Sequence, residues 1–534
     1  MEVQNLFTIS DELTIENYFM KMGVNDVNSF LYPSKKNVED GLLYDDMYIL
    51  IQYLKEFLLP TDVHFIVQDC DADGLFSAAL LYIGLIKYGV PKDNIKILFH
   101  DDKRHGLNED IMAQIGSDCK FLWLPDANVV EEENALKMQD KGITIIALDH
   151  HQTPKFKNVI TINNQLSDNI KNKSLCGTGI VYKFLEQIVD ISDYRCFVAF
   201  ANVADVMDMR SLENRWFSTY LFQSRSIPLL KQMWDKWGGN DALTNTSVTW
   251  KIIPKINAVQ RSNDNNLKLL LFKALVGEIK NTEEILKLIE KSHREQSKIV
   301  SNLFDNLKIY DWGSICIGVG ETFNYSGLIA NKLQSKFNKS AICLTKIDDN
   351  YIGSCRSPYG LKDYCVDSGL FNFAAGHQNA FGVSVDRKNI RNLHKYFQEN
   401  LPKVEPKTVC ATYNVLENFP KDFMFIEFDP FGKNREYWGQ GIPEPEFYFT
   451  NIEINSSQIQ AIGKNKTTIK FNYNGVDFIQ FFVSNIQKEK YYIGENIELN
   501  IFLIGNLTIN TYNDNMIPQV QIKEIEIKRK CKLI

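Results

Sequence analysis

Between residues 62 and 210 the chain repeats one unit: a short apolar run, then polar or acidic residues, then an amphipathic stretch. The runs are HFIVQ before Asp69, IKILF at 95–99, KFLWL at 120–124, ITIIAL at 143–148 and NVITI at 158–162. Continuous apolarity over so few residues marks strands covered on both faces, and the amphipathic stretches between them are the helices that cover them. The expected fold class is therefore α/β, with a parallel sheet whose ligands bind beyond the carboxyl ends of its strands.

Those ends are acidic. The first run leads into Asp69-Cys70-Asp71-Ala72-Asp73-Gly74, just before the helix-like LFSAALLYIGL. Three carboxylates at a spacing of two repel one another, and a hard divalent cation, Mg²⁺ or Mn²⁺, resolves that repulsion because it favours carboxylate oxygen and tolerates imidazole. KFLWL is followed by Pro125-Asp126-Ala127-Asn128 and ITIIAL by Asp149-His150-His151. Asp205 lies in the apolar segment FVAFANVADVM and reads as a fourth strand end. One such acid is ordinarily a cap or a structural hydrogen bond, but four sets in one α/β unit point to a metal site.

The 534 residues are too many for one core, and composition shifts divide them at 1–58, 59–225, 226–310, 311–404 and 405–534. The spacing of Ile285, Leu288, Ile289, Ile299, Leu303 and Leu307 predicts a connector helix over 281–308, with Asn281 and Glu284 placed as a capping box. A second α/β pattern follows in SICIGVG, SAICLTK and YIGSCRS. Beyond about residue 445, TTIKFNY, DFIQFFV, IELNIFLI and VQIKEIEI read as strands of a small antiparallel domain.

The net charge of −7 argues against a uniformly basic nucleic-acid coat, but segments 1–58, 59–225, 226–404 and 405–534 carry −6, −6, +7 and −2. The central piece alone has the sign a phosphate groove needs, and aromatic residues there, Phe371, Phe373 and Phe381, stack bases or fill core. Ten cysteines without a C-x-x-C pair fit reduced, buried thiols. The longest apolar stretch, Leu75 to Val90, is too short to span a bilayer, and Glu2, Asp11 and Glu12 are not the start of a signal peptide, so a cytoplasmic protein with no membrane association is expected.

In this order and spacing, DCDADG at 69–74, PDA at 125–127, LDHH at 148–151 and VADV at 203–206 resemble the four signature motifs of the DHH phosphoesterase superfamily. The segment 253–261, IPKINAVQR, resembles the P-x-I-N-A-x-x-R segment of the RecJ branch, with Gln260 where a glycine is usual, and Glu213-Asn214-Arg215 resembles another RecJ segment. GSCRS at 353–357 and FAAGHQNAFG at 373–382 resemble the signatures of the DHH-associated C-terminal domain, with Ala375 replacing a glycine. FDPFGKN at 428–434 with Pro443-Glu444-Pro445 resembles the entry to the RecJ oligonucleotide-binding (OB) domain, and residues around 28–33 and 45–47 are also RecJ-like.

The resemblance implies an N-terminal arm (1–58), a DHH catalytic domain (59–225), a helical connector (226–310), a DHH-associated substrate-binding domain (311–404) and an OB-like β-barrel (405–534). It implies a single-stranded-DNA-specific 5′→3′ exonuclease of DNA repair, recombination or replication, working with two divalent cations, Mn²⁺ or Mg²⁺. By carry-over the metal ligands are Asp69, Asp71, Asp73, Asp126, His150 and Asp205, with Asp126 a bridge. Asp69 completes the site because Val67 stands where some DHH enzymes have a histidine. Asp149 orients a neighbour, His151 meets the scissile phosphate, and Asn257, Arg261, Arg356, Ser357, Gly376 and His377 bind substrate. The partner is single-stranded DNA, with a single-strand-binding protein or helicase as further partner classes, and a monomer is expected. Two other readings share these motifs: a phosphodiesterase for short oligonucleotides or cyclic dinucleotides, which needs no OB domain, and a silent DNA-binding scaffold, which would have lost its acids.

Overall fold

The computed structural model describes all residues except 1, 9–11, 102–104, 128–130, 240, 359, 402–406, 513–514 and 531–534, and of 377, 486, 512 and 515 it describes the backbone only. The five apolar runs form one parallel sheet: β1 (Val63–Gln68), β2 (Ile95–Phe99), β3 (Cys119–Pro125), β4 (Thr144–Asp149) and β5 (Ile160–Asn163). Their order is β2-β1-β3-β4-β5, so the chain reverses its direction of travel across the sheet at β1. Such a reversal opens a crevice at the carboxyl ends, because the connections on either side diverge to opposite faces.

Helix α1 (Ala72–Tyr88) leaves β1 directly and is buried from Ala72 to Leu85, as expected for a helix apolar on every side. It packs with α2 (Gly177–Leu185) and α3 (Arg195–Ala204) in a core that runs from Tyr44 to Ile289. Asp205 caps the end of α3 and does not end a strand. The segment FVAFAN is buried on all faces, so its apolar pattern does not separate strand from helix, and its alanines favour the helix.

The connector contains α4 (Ile253–Gln260), with Pro254 in its first turn, and α5 (Glu283–Asp305). The latter is shorter than 281–308, and the capping box does not form. Thr282 is the cap residue, with its buried hydroxyl turned to Gln232, and Asn281 accepts from the Glu283 amide at 3.4 Å. At 23 residues α5 is about 34 Å long.

Beyond it stands a six-stranded mixed sheet: β6 (Lys308–Asp311), β7 (Ile315–Val319), β8 (Ser340–Ile347), β9 (Asn350–Arg356), β10 (Phe371–His377) and β11 (Ala380–Asp386), ordered β10-β11-β9-β8-β7-β6. Only β7 and β8 pair in parallel. The tail forms a seven-stranded sheet whose spine is a hairpin of Glu498–Tyr512 with Asn515–Arg529. A bulge at Ile504/Gly505 in that hairpin and another at Phe449/Ile452 bend the sheet. Residues between Phe7 and Phe30 pack into the core of this tail, and Val3–Asn5 pairs in parallel with Lys407–Val409.

All nine described cysteines are buried and unbridged; Cys531 lies outside the described residues. Among the described residues no helix is long and apolar enough to cross a membrane.

Candidate metal centre

The ends of β1, β3 and β4 lie side by side, so the acids that follow them converge. Asp69, Asp73, Asp126, Asp149 and His150 are all buried, with Asp205 about one-fifth exposed. His150 Nε2 is 3.3 Å from Asp126 Oδ1, 3.3 Å from Asp205 Oδ2 and 4.0 Å from Asp73 Oδ2. Two trios of donors flank the centre, each with its atoms within 4.8 Å of one another, Asp69, Asp71 and Asp126 on one side and Asp73, His150 and Asp205 on the other, and a third, Asp126, His150 and His151, overlaps both. The Asp126–His150 contact joins them.

Local structure holds these groups under strain. Asp126 has φ +56°, and its amide donates to Leu148 O at 2.9 Å. Val206, a β-branched residue directly after Asp205, has φ +58°. Such conformations cost about 1–3 kcal/mol each and persist where the surroundings over-determine them. Asp71 caps α1 by accepting from Gly74 N at 3.1 Å.

The electrostatics are those of a site that requires cations. Burial, then the Asp73, Asp71, Asp69 and Asp205 charges, push the Asp126 carboxyl far above its ordinary range. Burial and Asp205 raise Asp73 to about 7. Asp126 Oδ1 is buried, and apart from the 3.3 Å contact with His150 Nε2 no donor faces it among the described residues. Carboxylate oxygens with one imidazole form the donor set that Mn²⁺ and Mg²⁺ accept, so the residues present fit such ions.

Asp149 lies behind the cluster and accepts from His151 Nδ1 at 2.8 Å. Burial would raise Asp149, but the facing imidazole takes it down to about 2. Burial likewise opposes charge on His151, and Asp149 outweighs it, raising the imidazole to about 10. Asp149 thus favours the charged form of His151.

The expected substrate residues divide. The Asn257 carbonyl oxygen accepts from Ala72 N at 2.9 Å and so holds the acidic loop itself. Gln260, in the position where glycine is usual, accepts from Gln68 Nε2 at 2.6 Å and ties the end of β1 to α4. Burial, then the Asp69 and Asp205 charges, raise the Asp71 carboxyl, with Arg261 opposing them; burial, then the Arg261 charge, brings Arg356 down to about 10, so Arg261 is near both the carboxylates and Arg356 of the second sheet. Lys362 Nζ reaches Gln152 Oε1 at 3.2 Å across the same gap. Ser357 is buried with its hydroxyl 2.8 Å from that of Ser340. Gly376 has φ +127°, where a β-carbon would meet Ala380 O at 2.9 Å. Asn128 and the side chain of His377 lie outside the described residues. Phe381 fills core, and Phe373 is 47% exposed.

Sequence reasoning missed three supports. Gly177 N and Thr178 N donate to the two Asp73 oxygens at 2.7 and 2.8 Å, with the Thr178 hydroxyl at 2.5 Å. His105 Nδ1 lies 2.7 Å from Asp69 Oδ2. The run Cys176-Gly177-Thr178-Gly179 was the visible signal for the first pair; nothing near His105 in sequence marked it. Glu213-Asn214-Arg215 proves structural: Glu213 pairs with buried Lys183, and the Arg215 guanidinium stacks 4.7 Å from the Tyr437 ring.

A cleft of about 1100 Å³ is elsewhere, between the N-terminal segment, residues 241–251 and the tail. Its Asp241, Glu444 and Glu446 balance Lys251, Arg435 and Lys523, a lining unsuited to phosphate. A smaller one of about 240 Å³, lined by Asn202, Val206 and Trp250, is next to Asp205.

Residues 64–207 match the DHH family, N-terminal domain, and residues 432–524 match the RecJ OB domain. The chain therefore contains a DHH domain and a RecJ OB domain. The DHH match contains all of the clustered acids, and the OB match lies within the bent sheet of the tail. The prophage-derived YorK of Bacillus subtilis (strain 168), provisionally described as a single-strand DNA-specific exonuclease, is 29% identical over 87% of each chain. The single-stranded-DNA-specific exonuclease RecJ of the same organism is 23% identical over 96% of this chain and 68% of its own. The crystal structure of RecJ from Thermus thermophilus in complex with Mn²⁺ covers 96% of this chain and 75% of its own at TM-score 0.73 and 16% identity, which shows a common fold.

Proposed function

We propose that this DHH protein is a metal-dependent exonuclease that hydrolyses phosphodiester bonds of single-stranded DNA in the 5′→3′ direction, in DNA repair, recombination or replication. The observation that carries the reading is the pair of donor trios joined at Asp126 and His150, in a chain whose relatives are described as single-strand DNA-specific exonucleases.

Asp69, Asp71, Asp73, Asp126, His150 and Asp205 would hold two Mn²⁺ or Mg²⁺ ions. When bound, such ions lower the pKa of water and offset charge at the phosphorus. Asp149 keeps His151 protonated and oriented, so that the imidazolium donates to the scissile phosphate or leaving oxygen. Arg261 and Arg356 grip phosphate from the two sides of the cleft, and Gly376 lets the strand approach the backbone. Asn257 acts through Ala72 on the acidic loop and is a positioning residue. A cytoplasmic monomer working beside a single-strand-binding protein or helicase is the setting that suits this activity.

Digestion of 5′- and 3′-end-labelled single- and double-stranded DNA and RNA with Mn²⁺ tests the proposal, with Asp126→Ala as control. Single-stranded DNA should lose its 5′ label first, duplex should resist, and the variant should bind single strands without cutting them. Release of the 3′ label first, equal attack on duplex, or full activity in Asp126→Ala would overturn it.

A further inference from the structure

The acidic loop carries one soft donor among its hard ones. Cys70, between Asp69 and Asp71, is buried, and its Sγ lies 3.8 Å from both ring nitrogens of His105. His105 comes from the loop after β2 and is 61% exposed at its side chain, while its Nδ1 is 2.9 and 2.7 Å from the two oxygens of Asp69. One sulfur, one nitrogen and one oxygen thus lie within 4.8 Å of one another at the rim of the carboxylate cluster.

We propose that Asp69, Cys70 and His105 form a second, softer metal site that takes Zn²⁺ and, when filled, inhibits the nuclease by withdrawing Asp69 from the first. The inhibitory half rests on the function proposed above; the binding half does not.

Tetrahedral Zn²⁺, with Zn–S of about 2.3 Å and Zn–N of about 2.0–2.1 Å, places sulfur and nitrogen ligands roughly 3.6 Å apart. The Cys70–His105 separation of 3.8 Å is close to that, but the sulfur is equidistant from the two ring nitrogens and off the lone pair of either, so the exposed imidazole must turn to present a nitrogen to the ion. Two ligands of oxygen and nitrogen require about 3.4 Å, so Asp69 and His105 must part by roughly 0.7 Å as the ion replaces the hydrogen between them. The exposed imidazole gives the ion a way in, and water fills the fourth position.

The two sites sort ions by donor. Mg²⁺ and Mn²⁺ prefer the oxygen-rich trios and gain little from a thiolate, whereas Zn²⁺ binds sulfur and nitrogen well and stands above Mn²⁺ in general affinity. Asp69 belongs to both sets, so occupation of the soft site leaves Asp71 and Asp126 without their third partner.

Metal-stripped full-length protein titrated with Co²⁺, which reports thiolate ligation through its sulfur-to-cobalt charge-transfer absorption, tests binding without any assay of activity. The band should form in the wild type, vanish in Cys70→Ser and weaken in His105→Ala, an exposed position whose change leaves the fold intact. No band in the wild type, or an equal band in Cys70→Ser, overturns the site. In a second arm, Zn²⁺ added to the Mn²⁺-driven reaction on single-stranded DNA should inhibit the wild type, and Cys70→Ser should need about tenfold more. Equal zinc sensitivity of the two proteins overturns the inhibitory role. If neither protein cuts DNA under any condition, the proposed function fails while the cobalt band still decides the site.

Discussion

Gly177 lies directly beneath Asp126: a β-carbon there would sit 2.4 Å from Oδ1 and 2.5 Å from Cβ of the aspartate. Asp126 has no easy retreat, because its backbone is in the left-handed region and its amide is bonded to Leu148. Gly177→Ala should therefore displace the carboxylate whose contact with His150 links the two trios. Calorimetric Mn²⁺ titration should show affinity lower by about 10- to 100-fold, with DNA cleavage falling alongside. Wild-type Mn²⁺ affinity in the variant would show that Asp126 is not where the metal binds.

The buried carboxyls make stability depend on pH and metal together. The ordinary Asp73 value of 3.8 stands at about 7 in the fold, so the folded chain keeps a proton that the unfolded chain has released. Without divalent cations, stability from this group should fall as pH rises from about 4 to about 7, by up to about 4 kcal/mol. Saturating Mn²⁺ should flatten that slope, since the cation takes the place of the proton. Denaturant midpoints measured across this range with chelator and with Mn²⁺ check it, and parallel curves would count against the assignment.

Arg356 lies near Arg261, whose charge also acts on Asp71, and among the described residues no ion pair within 4.0 Å joins either guanidinium to a carboxylate, so a phosphate suits the space beside them. Arg356→Ala should weaken single-strand binding by about tenfold, lower the slope of log affinity against log salt by about 1, and leave thermal stability undiminished. Fluorescence anisotropy over a salt series reads the slope; an unchanged one would remove Arg356 from the binding surface.

Asn257 should separate from Arg356 in kinetics. Its carbonyl satisfies Ala72 N, and Asn257→Ala leaves that amide without its partner, at a cost of about 1 kcal/mol. The variant should need more Mn²⁺ for half-maximal rate while KM for DNA stays as in the wild type. A raised KM with unchanged Mn²⁺ requirement would instead make Asn257 a substrate contact.

Much of the catalytic half was legible because its signals are local. HFIVQ, KFLWL and ITIIAL are continuous apolar runs too short for ordinary helices and so read as interior strands, and the acids at their ends follow within two residues. Asp205 was legible as an acid in an apolar setting but not as a helix cap, since complete burial of α3 removes the periodicity that distinguishes helix from strand. The cap of α5 was misread for a related reason: Asn281 has the right side chain, but Thr282 is drawn to Gln232 across the packing interface.

The sequence by itself pointed to the residues proposed to carry the chemistry, through motif order and through donors that suit a hard cation. The tertiary structure alone decided what holds them. Asp73 is gripped by Gly177 and Thr178 from 104 and 105 residues away, Ala72 by Asn257 from 185, and Asp69 by His105 from 36. These partners share no pattern along the chain with the groups they serve. Buried carboxyls need donors wherever folding brings them, and which donors arrive depends on how helices α2 and α4 pack against the end of the sheet.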